Sequence, residues 1–168
     1  MSSTVRHFEM TSREAFPATG IPAEFEMKKV REPSINERFY REVGADWEWT
    51  DRKKWTAEKW STWVGRDGLE TWLAYFKGEE AGYVELEVQD GGDVEIVYFG
   101  LLPSMIGKSL GGAMLTMAVT RAWEIEGTQR VWLHTCTEDH PHAVSNYEKR
   151  GFRLFKTEVV AKKNDEAN

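Results

Sequence analysis

Three glycines, Gly107, Gly111 and Gly112, surround Lys108, Ser109 and Leu110 where a β-rich apolar run hands over to a helical pattern. The run is V-E-I-V-Y-F-G-L-L-P over 94–103, and the pattern puts Leu110, Met114, Met117, Ala118, Ala122 and Ile125 on one helix face before Gly127. A strand turning through glycine into a helix N-terminus leaves backbone N–H groups unpaired at the positive end of the helix dipole. That is chemistry for an anion. Lys108 adds a cation beside it and Ser109 a hydroxyl donor. Gly107-Lys108-Ser109 also resembles the end of a G-x-x-x-x-G-K-[ST] loop, but the first glycine would fall at Leu102 and Gly100 is misplaced. That reading is excluded.

Titratable side chains cluster around the same strand. Glu95 stands on a face (Asp93, Glu95, Val97, Phe99, Leu101) that passes from polar to apolar, and partial desolvation at such a boundary raises a carboxylate toward proton-accepting strength. Glu85 and Glu87 lie on the preceding strand, across the turn Asp90-Gly91-Gly92. A three-residue loop sets Gln89 opposite Asp93 and gathers all three glutamates on one face; a two-residue turn points them apart, and both registers are open. His134 shares a strand face with Trp132 and Cys136, either lining a site or acting as a hydrogen-bonded core histidine. Asp46, Trp47, Glu48, Trp49 and Asp51 join aromatic faces to carboxylates, which suits a cationic amine. The same rings also suit a core or a dimer surface, and Trp60, Trp63 and Val64 read as core. His140 and His142 flank Pro141 without a third ligand, so no metal is expected.

These residues need elements to position them. The 168 residues, 40% hydrophobic and 12% aromatic, suit one compact domain over 1–168, with a polar tail fraying over 161–168. The net charge of −6 without a lysine or arginine block argues against nucleic acid as partner. No run approaches membrane-spanning length, the N-terminus leads into no apolar leader, and the single Cys136 cannot form an internal disulfide. The expected location is the cytoplasm, with no membrane partner. Periodicity predicts strands over 5–10, 69–76, 81–88, from 94, over 130–136 and over 152–160. It predicts helices from Pro33 to Gly44, through Trp60 and Trp63, from Leu110, and from Pro141, with a loop over 11–23. The order is β-α-α-β-β-β-α-β-α-β. The fold class is α/β (α+β): a mixed, mostly antiparallel central sheet with helices on both faces, parallel only across the long helix.

Two segments resemble the GNAT N-acetyltransferases. Ile106-Gly107-Lys108-Ser109-Leu110-Gly111 is similar to the family's Q/R-x-x-G-x-G/A loop, with Ile106 replacing the Gln/Arg and Ser109 the middle glycine. Ala143 to Phe152 is similar to its A-x-x-x-Y-x-x-x-G-F ending, with Tyr147 and Gly151 in place. The resemblance implies acetyl-CoA as co-substrate, its pantetheine along the strand at Leu101 and its pyrophosphate on Gly107, Lys108, Ser109, Leu110, Gly111 and Gly112. It implies Tyr147 as general acid toward the departing thiolate, since a phenol is protonated at neutral pH. Tyr147 also shares a helix face with Ala143 and Val144, as a core residue would. The resemblance agrees with Glu95 as base acting through water. Asp46, Trp47, Trp49, Glu85 and His134 are then the candidate substrate wall. The expected activity is acetyl transfer to a primary amine of a small cationic substrate. The alternative is a catalytically silent CoA-binding or protein-interaction module, because the loop has lost its Arg and one Gly. A homodimer is among the expected partners.

Overall fold

The computed structural model describes residues 2–15, 21–45, 49–136 and 143–161. Its strands are β1 (Ser2–Met10), β2 (Phe25–Val30), β3 (Leu69–Phe76), β4 (Glu79–Val88), β5 (Asp93–Leu101), β6 (Arg130–Cys136) and β7 (Arg153–Ala161). Its helices are α1 (Pro33–Gly44), α2 (Ala57–Val64), α3 (Gly111–Glu124) and α4 (Ala143–Lys149). The strands form one sheet in the order β2-β3-β4-β5-β6-β1-β7. β5 and β6 run parallel because α3 carries the chain back between them, and the other neighbours are antiparallel.

The apolar periodicity of each helix decides which face of the sheet it covers. Phe39, Tyr40 and Val43 of α1 and Trp60 of α2 pack over Leu73 and Tyr83 on one face. Met114, Leu115, Ala118 and Val119 of α3, with Tyr147 and Phe152, pack over Phe8, Val84, Leu86, Val94 and Ile96 on the other. Local chemistry sets the ends: Pro33 opens α1, and the Thr56 hydroxyl caps α2 by accepting from the Lys59 N–H at 3.2 Å. The mixed sheet with helices on both faces is the expected architecture.

β2 departs from the expected order. Phe25-Glu26-Met27-Lys28-Lys29-Val30 alternates weakly and carries three charges, so local propensity gives little signal. It becomes a strand by pairing with β3, Phe25 opposite Phe76 through to Val30 opposite Thr71. The helix expected to run on toward Gly127 ends at Glu124, where the Thr128 hydroxyl donates to the Ala122 and Ile125 carbonyls at 2.8 Å. The start of α4 at Pro141, the readings of His140 and His142, and the tail beyond Ala161 lie outside the described residues.

The β4–β5 hairpin takes the three-residue register. Gln89 N–H donates to the Asp93 carbonyl at 2.8 Å, and Glu87 sits opposite Glu95. Two residues on, the pairing slips: Leu86 faces Ile96 but Glu85 faces Tyr98, so Val97 is the extra residue of a bulge. The expected single face from Asp93 to Leu101 is therefore broken at Val97. Val94, Ile96, Phe99 and Leu101 turn toward α3, while Tyr98 and Leu102 turn toward α1 and α2.

Candidate active site

The bulge opens the sheet. β5 and β6 pair only from Asp93–Arg130 to Glu95–Trp132; beyond that the strands diverge. Between them lies a cleft of about 2170 Å³, walled by the second half of β5, the 106–112 loop, β6 and α4. Its far end is closed by α1 and the 49–55 segment.

The first turn of α3 opens onto this cleft. The N-cap residue Leu110 makes no side-chain cap, and the first helical bond is Met114 N–H to the Leu110 carbonyl at 2.9 Å. The N–H groups of Gly111, Gly112 and Ala113 thus have no partner within the helix. Space is available: a β-carbon at Gly111 would meet only the Asn146 Nδ2, at 3.9 Å. A β-carbon at Gly112 would overlap an Arg150 Nη2, so glycine is what lets that guanidinium cross the helix end. Gly107 has φ +88° and Ser109 φ +60°, a left-handed conformation at the position where the motif carries glycine. Leu101 lines the cleft from β5, and Leu110 lines it while belonging to the buried core under α3. Lys108 is exposed, and its side chain does not belong to the cleft wall.

Tyr147 reaches the cleft from α4 while its ring packs 5.7 Å from Phe8 and 6.2 Å from Phe152, centroid to centroid. The core and the cleft readings hold together: 8% of the residue stays exposed. Glu95 is buried behind the wall. It accepts from Gln89 Nε2 at 3.0 Å, and one of its oxygens stands 3.4 Å from His134 Nδ1. His134, far from being a core histidine, is nearly half exposed and lines the cleft. The pair therefore presents an imidazole to the cleft with a carboxylate behind it. His7 stacks against this group, 5.6 Å from the His134 ring, and its second neighbour is Glu158 at 2.9 Å. Burial, then the neighbouring His134, pulls the His7 imidazole below its usual value.

The expected acidic cluster shares a face, and each of its carboxylates is held by hydrogen bonds from the chain. Glu87 is held below the usual carboxylate range: burial opposes ionisation, and hydrogen bonds from Arg66 and Gln89 outweigh it. Glu85, expected to contact substrate, is fully buried. It accepts from Arg52 Nη1 at 2.9 and 3.0 Å, Trp63 Nε1 at 2.7 Å and Asn36 Nδ2 at 3.0 Å. Both oxygens are engaged inside the fold, so this carboxylate is structural.

Arg52 explains the tryptophans. Its guanidinium lies 4.6 Å from the Trp55 ring, 4.5 Å from Trp63, 5.5 Å from Trp60 and 4.1 Å from Tyr98. These four rings cage a cation of the chain itself. Trp55 and Trp63 of this cage reach the cleft wall, and beside them stand Trp49, packed on Tyr40 and Tyr98, and the exposed Asp51. Asp51 accepts from the hydroxyls of Tyr40, at 3.2 Å, and Tyr98. Burial first, with the adjacent Asp51 charge adding to it, raises both phenols well above their usual value, so they remain donors. Asp46 and Trp47 lie outside the described residues. Sequence reasoning missed Arg52, Tyr98 and Arg150. Arg150, next to Gly151 in the tyrosine motif, was the one legible from its position.

Comparison places this arrangement. The model of the acetyltransferase (GNAT) family matches residues 35–152. The chain belongs to that family. The match reaches well upstream of the two motifs, through α1 and the tryptophan-rich segment. A GCN5-related N-acetyltransferase from Kribbella flavida is similar in fold, with TM-score 0.67 and 18% identity over 93% of this chain and 56% of that one. One from Sphaerobacter thermophilus gives TM-score 0.69 and 18% identity over 92% and 49%. The chain spans about half the length of these two. An aminoglycoside acetyltransferase from an uncultured soil metagenomic sample, in complex with sisomicin, gives TM-score 0.59 and 11% identity over 76% and 86%. No curated protein matches the sequence.

Proposed function

We propose that the protein is a cytoplasmic acetyl-CoA-dependent N-acetyltransferase acting on a primary amine of a small, cationic substrate. The observation that carries the reading is the cleft between β5 and β6, which ends on the uncapped first turn of α3, open at Gly111 and crossed at Gly112 by the Arg150 guanidinium. An anionic diphosphate fits there. Backbone N–H groups from Gly107 to Gly112 would hold it, and the β5 backbone at Leu101 would align the pantetheine. Acetyl-CoA supplies an acetyl group activated as a thioester. The chain supplies the proton handling. His134 accepts the proton of the amine directly or through water, and Glu95 orients the imidazole and stabilises its charged form. Tyr147 donates its phenolic proton on the leaving-group side.

At the acceptor end, Asp51 takes the place first expected of Glu85. Its carboxylate is exposed on the cleft wall, fixed by two tyrosine hydroxyls beside Trp49, and suits a second cationic group of the substrate. That the soil acetyltransferase binds sisomicin, as its structure states, supports a polycationic acceptor class for this reading. For the homodimer, the outer edge of β7 is the surface to use. An antiparallel copy centred on Thr157 sets Lys156 against Glu158 and Phe155 against Val159.

The test is thiol release from acetyl-CoA across a panel of mono- and polyamines, run beside calorimetric CoA titration of Gly111→Asp. The site at Gly111 tolerates a side chain sterically, so the variant folds and loses CoA affinity. Transfer to no amine with CoA still bound leaves the silent module as the reading; undiminished CoA binding in Gly111→Asp refutes the cofactor site.

A further inference from the structure

The motif's basic first position is Ile106, and Lys108 lies off the cleft wall, so the loop itself offers no cation to a diphosphate. Another one stands nearby. Arg150, one residue past α4, lines the cleft and lays its guanidinium across Gly112 at the start of α3. A β-carbon there would overlap its Nη2 and lie 3.2 Å from its Cζ. Its Nε donates to the Gly112 carbonyl at a long 3.4 Å. Among the described residues no carboxylate lies within ion-pair distance of it. Most other arginines packed along the sheet and its helices have such a partner: Arg38, Arg52, Arg66, Arg121, Arg130 and Arg153.

The placement is electrostatically unfavourable without a ligand. A helix N-terminus carries about half a positive charge, and a guanidinium beside it adds like-sign repulsion. An anion between the two satisfies both, because a guanidinium is a planar fork of donors matched to phosphate oxygens. Asn146 completes the cradle, its Oδ1 3.6 Å from the Gly112 β-position and its Nδ2 3.9 Å from that of Gly111. α4 thus brings a cation and an amide to the loop from the opposite wall.

We infer that Arg150 is the diphosphate-binding cation of this protein, supplying from the end of α4 the charge that the loop lost at Ile106. The inference rests on the cofactor reading above and adds to it a residue, a direction of approach and a reason for the Ile106 substitution. It also removes the loss of the loop's basic residue as an argument for a silent module.

Calorimetry with two probes separates the claims: CoA, and pantetheine, which shares the thiol arm but has no diphosphate. Arg150→Gln weakens CoA binding about 10- to 100-fold, the range of one charge-assisted hydrogen-bonding group, and leaves pantetheine unchanged. Arg150→Lys retains part of the affinity, and Ile106→Arg in the Arg150→Gln background restores part of it. Pantetheine binding in each variant checks the fold of the cleft. Equal losses for both probes, or undiminished CoA affinity in Arg150→Gln, overturn the role of Arg150. If Gly111→Asp still abolishes CoA binding in that second case, the cofactor site stands and only Arg150 falls. A parent protein that binds no CoA overturns both.

Discussion

Glu85→Gln probes the internal ion pair on which the tryptophan-rich segment is built. Arg52 is 3% exposed and Glu85 wholly buried, so removing the negative charge strands a guanidinium in the interior. Breaking one side of a buried pair costs about 3–5 kcal/mol. The rings around Arg52 offset some of this, since a desolvated cation–π contact contributes up to about 2 kcal/mol, and the amide oxygen of the variant still accepts from Trp63. The lower end, about 3 kcal/mol, is therefore expected. At roughly 2–4 °C per kcal/mol for a chain of this size, Tm falls by about 6–12 °C. Arg52→Met should cost a similar amount, leaving a buried carboxylate. The double variant restores charge neutrality, so the cycle shows a coupling of about 2 kcal/mol or more. Urea unfolding followed by tryptophan emission is the assay, because Trp55, Trp60 and Trp63 all report on the guanidinium. Additivity within about 0.5 kcal/mol would refute the pair as the organiser of this segment.

Three further expectations concern chemistry and pH. Tyr147→Phe keeps the ring between Phe8 and Phe152 and removes only the hydroxyl, so kcat drops about 10²- to 10⁴-fold with CoA affinity unchanged; an unaltered kcat returns Tyr147 to the core alone. Glu95→Gln withdraws the charge behind His134 and moves the acidic limb of the kcat/KM profile, while His134→Gln removes that limb; a profile identical to the parent in both variants excludes the pair as base. His7 gives a stability signature: its folded pKa lies below the unfolded value of about 6.5, so its contribution is complete above that pH and is lost as pH falls toward the folded value. Comparing unfolding free energies at about pH 7 and 5.5, His7→Gln should flatten this decline, leaving the carboxylate phase. That phase begins below about 4.5, where Glu9 and Glu87, both held below the usual range by arginine hydrogen bonds set against burial, take up protons. A parent-like slope for His7→Gln would disprove the assignment.

Much of the fold was legible because its signals are local. Periodicity placed α1 from Pro33 to Gly44 and β3 over Leu69–Phe76, and glycine with a helical apolar stripe marked the turn into α3. In the function proposed above, the tyrosine motif and the loop act through backbone N–H groups and one phenol, groups whose spacing is set along the chain. What the chain order could not contain is where side chains from distant segments meet. One extra residue at Val97 turns Tyr98 toward Asp51 and parts β5 from β6, and no period-two reading anticipates a bulge. Glu85 reads from the sequence as a substrate contact and Arg52 draws no reading; only packing across 33 positions makes them one buried pair among aromatic rings. The role proposed for Arg150 likewise depends on α4 ending where α3 begins, 38 residues apart in sequence. Local propensity and motif spacing determined the elements other than β2 and the class of chemistry. Burial and pairing between remote segments, which depend on three-dimensional neighbours, decided which charges remain available to perform it.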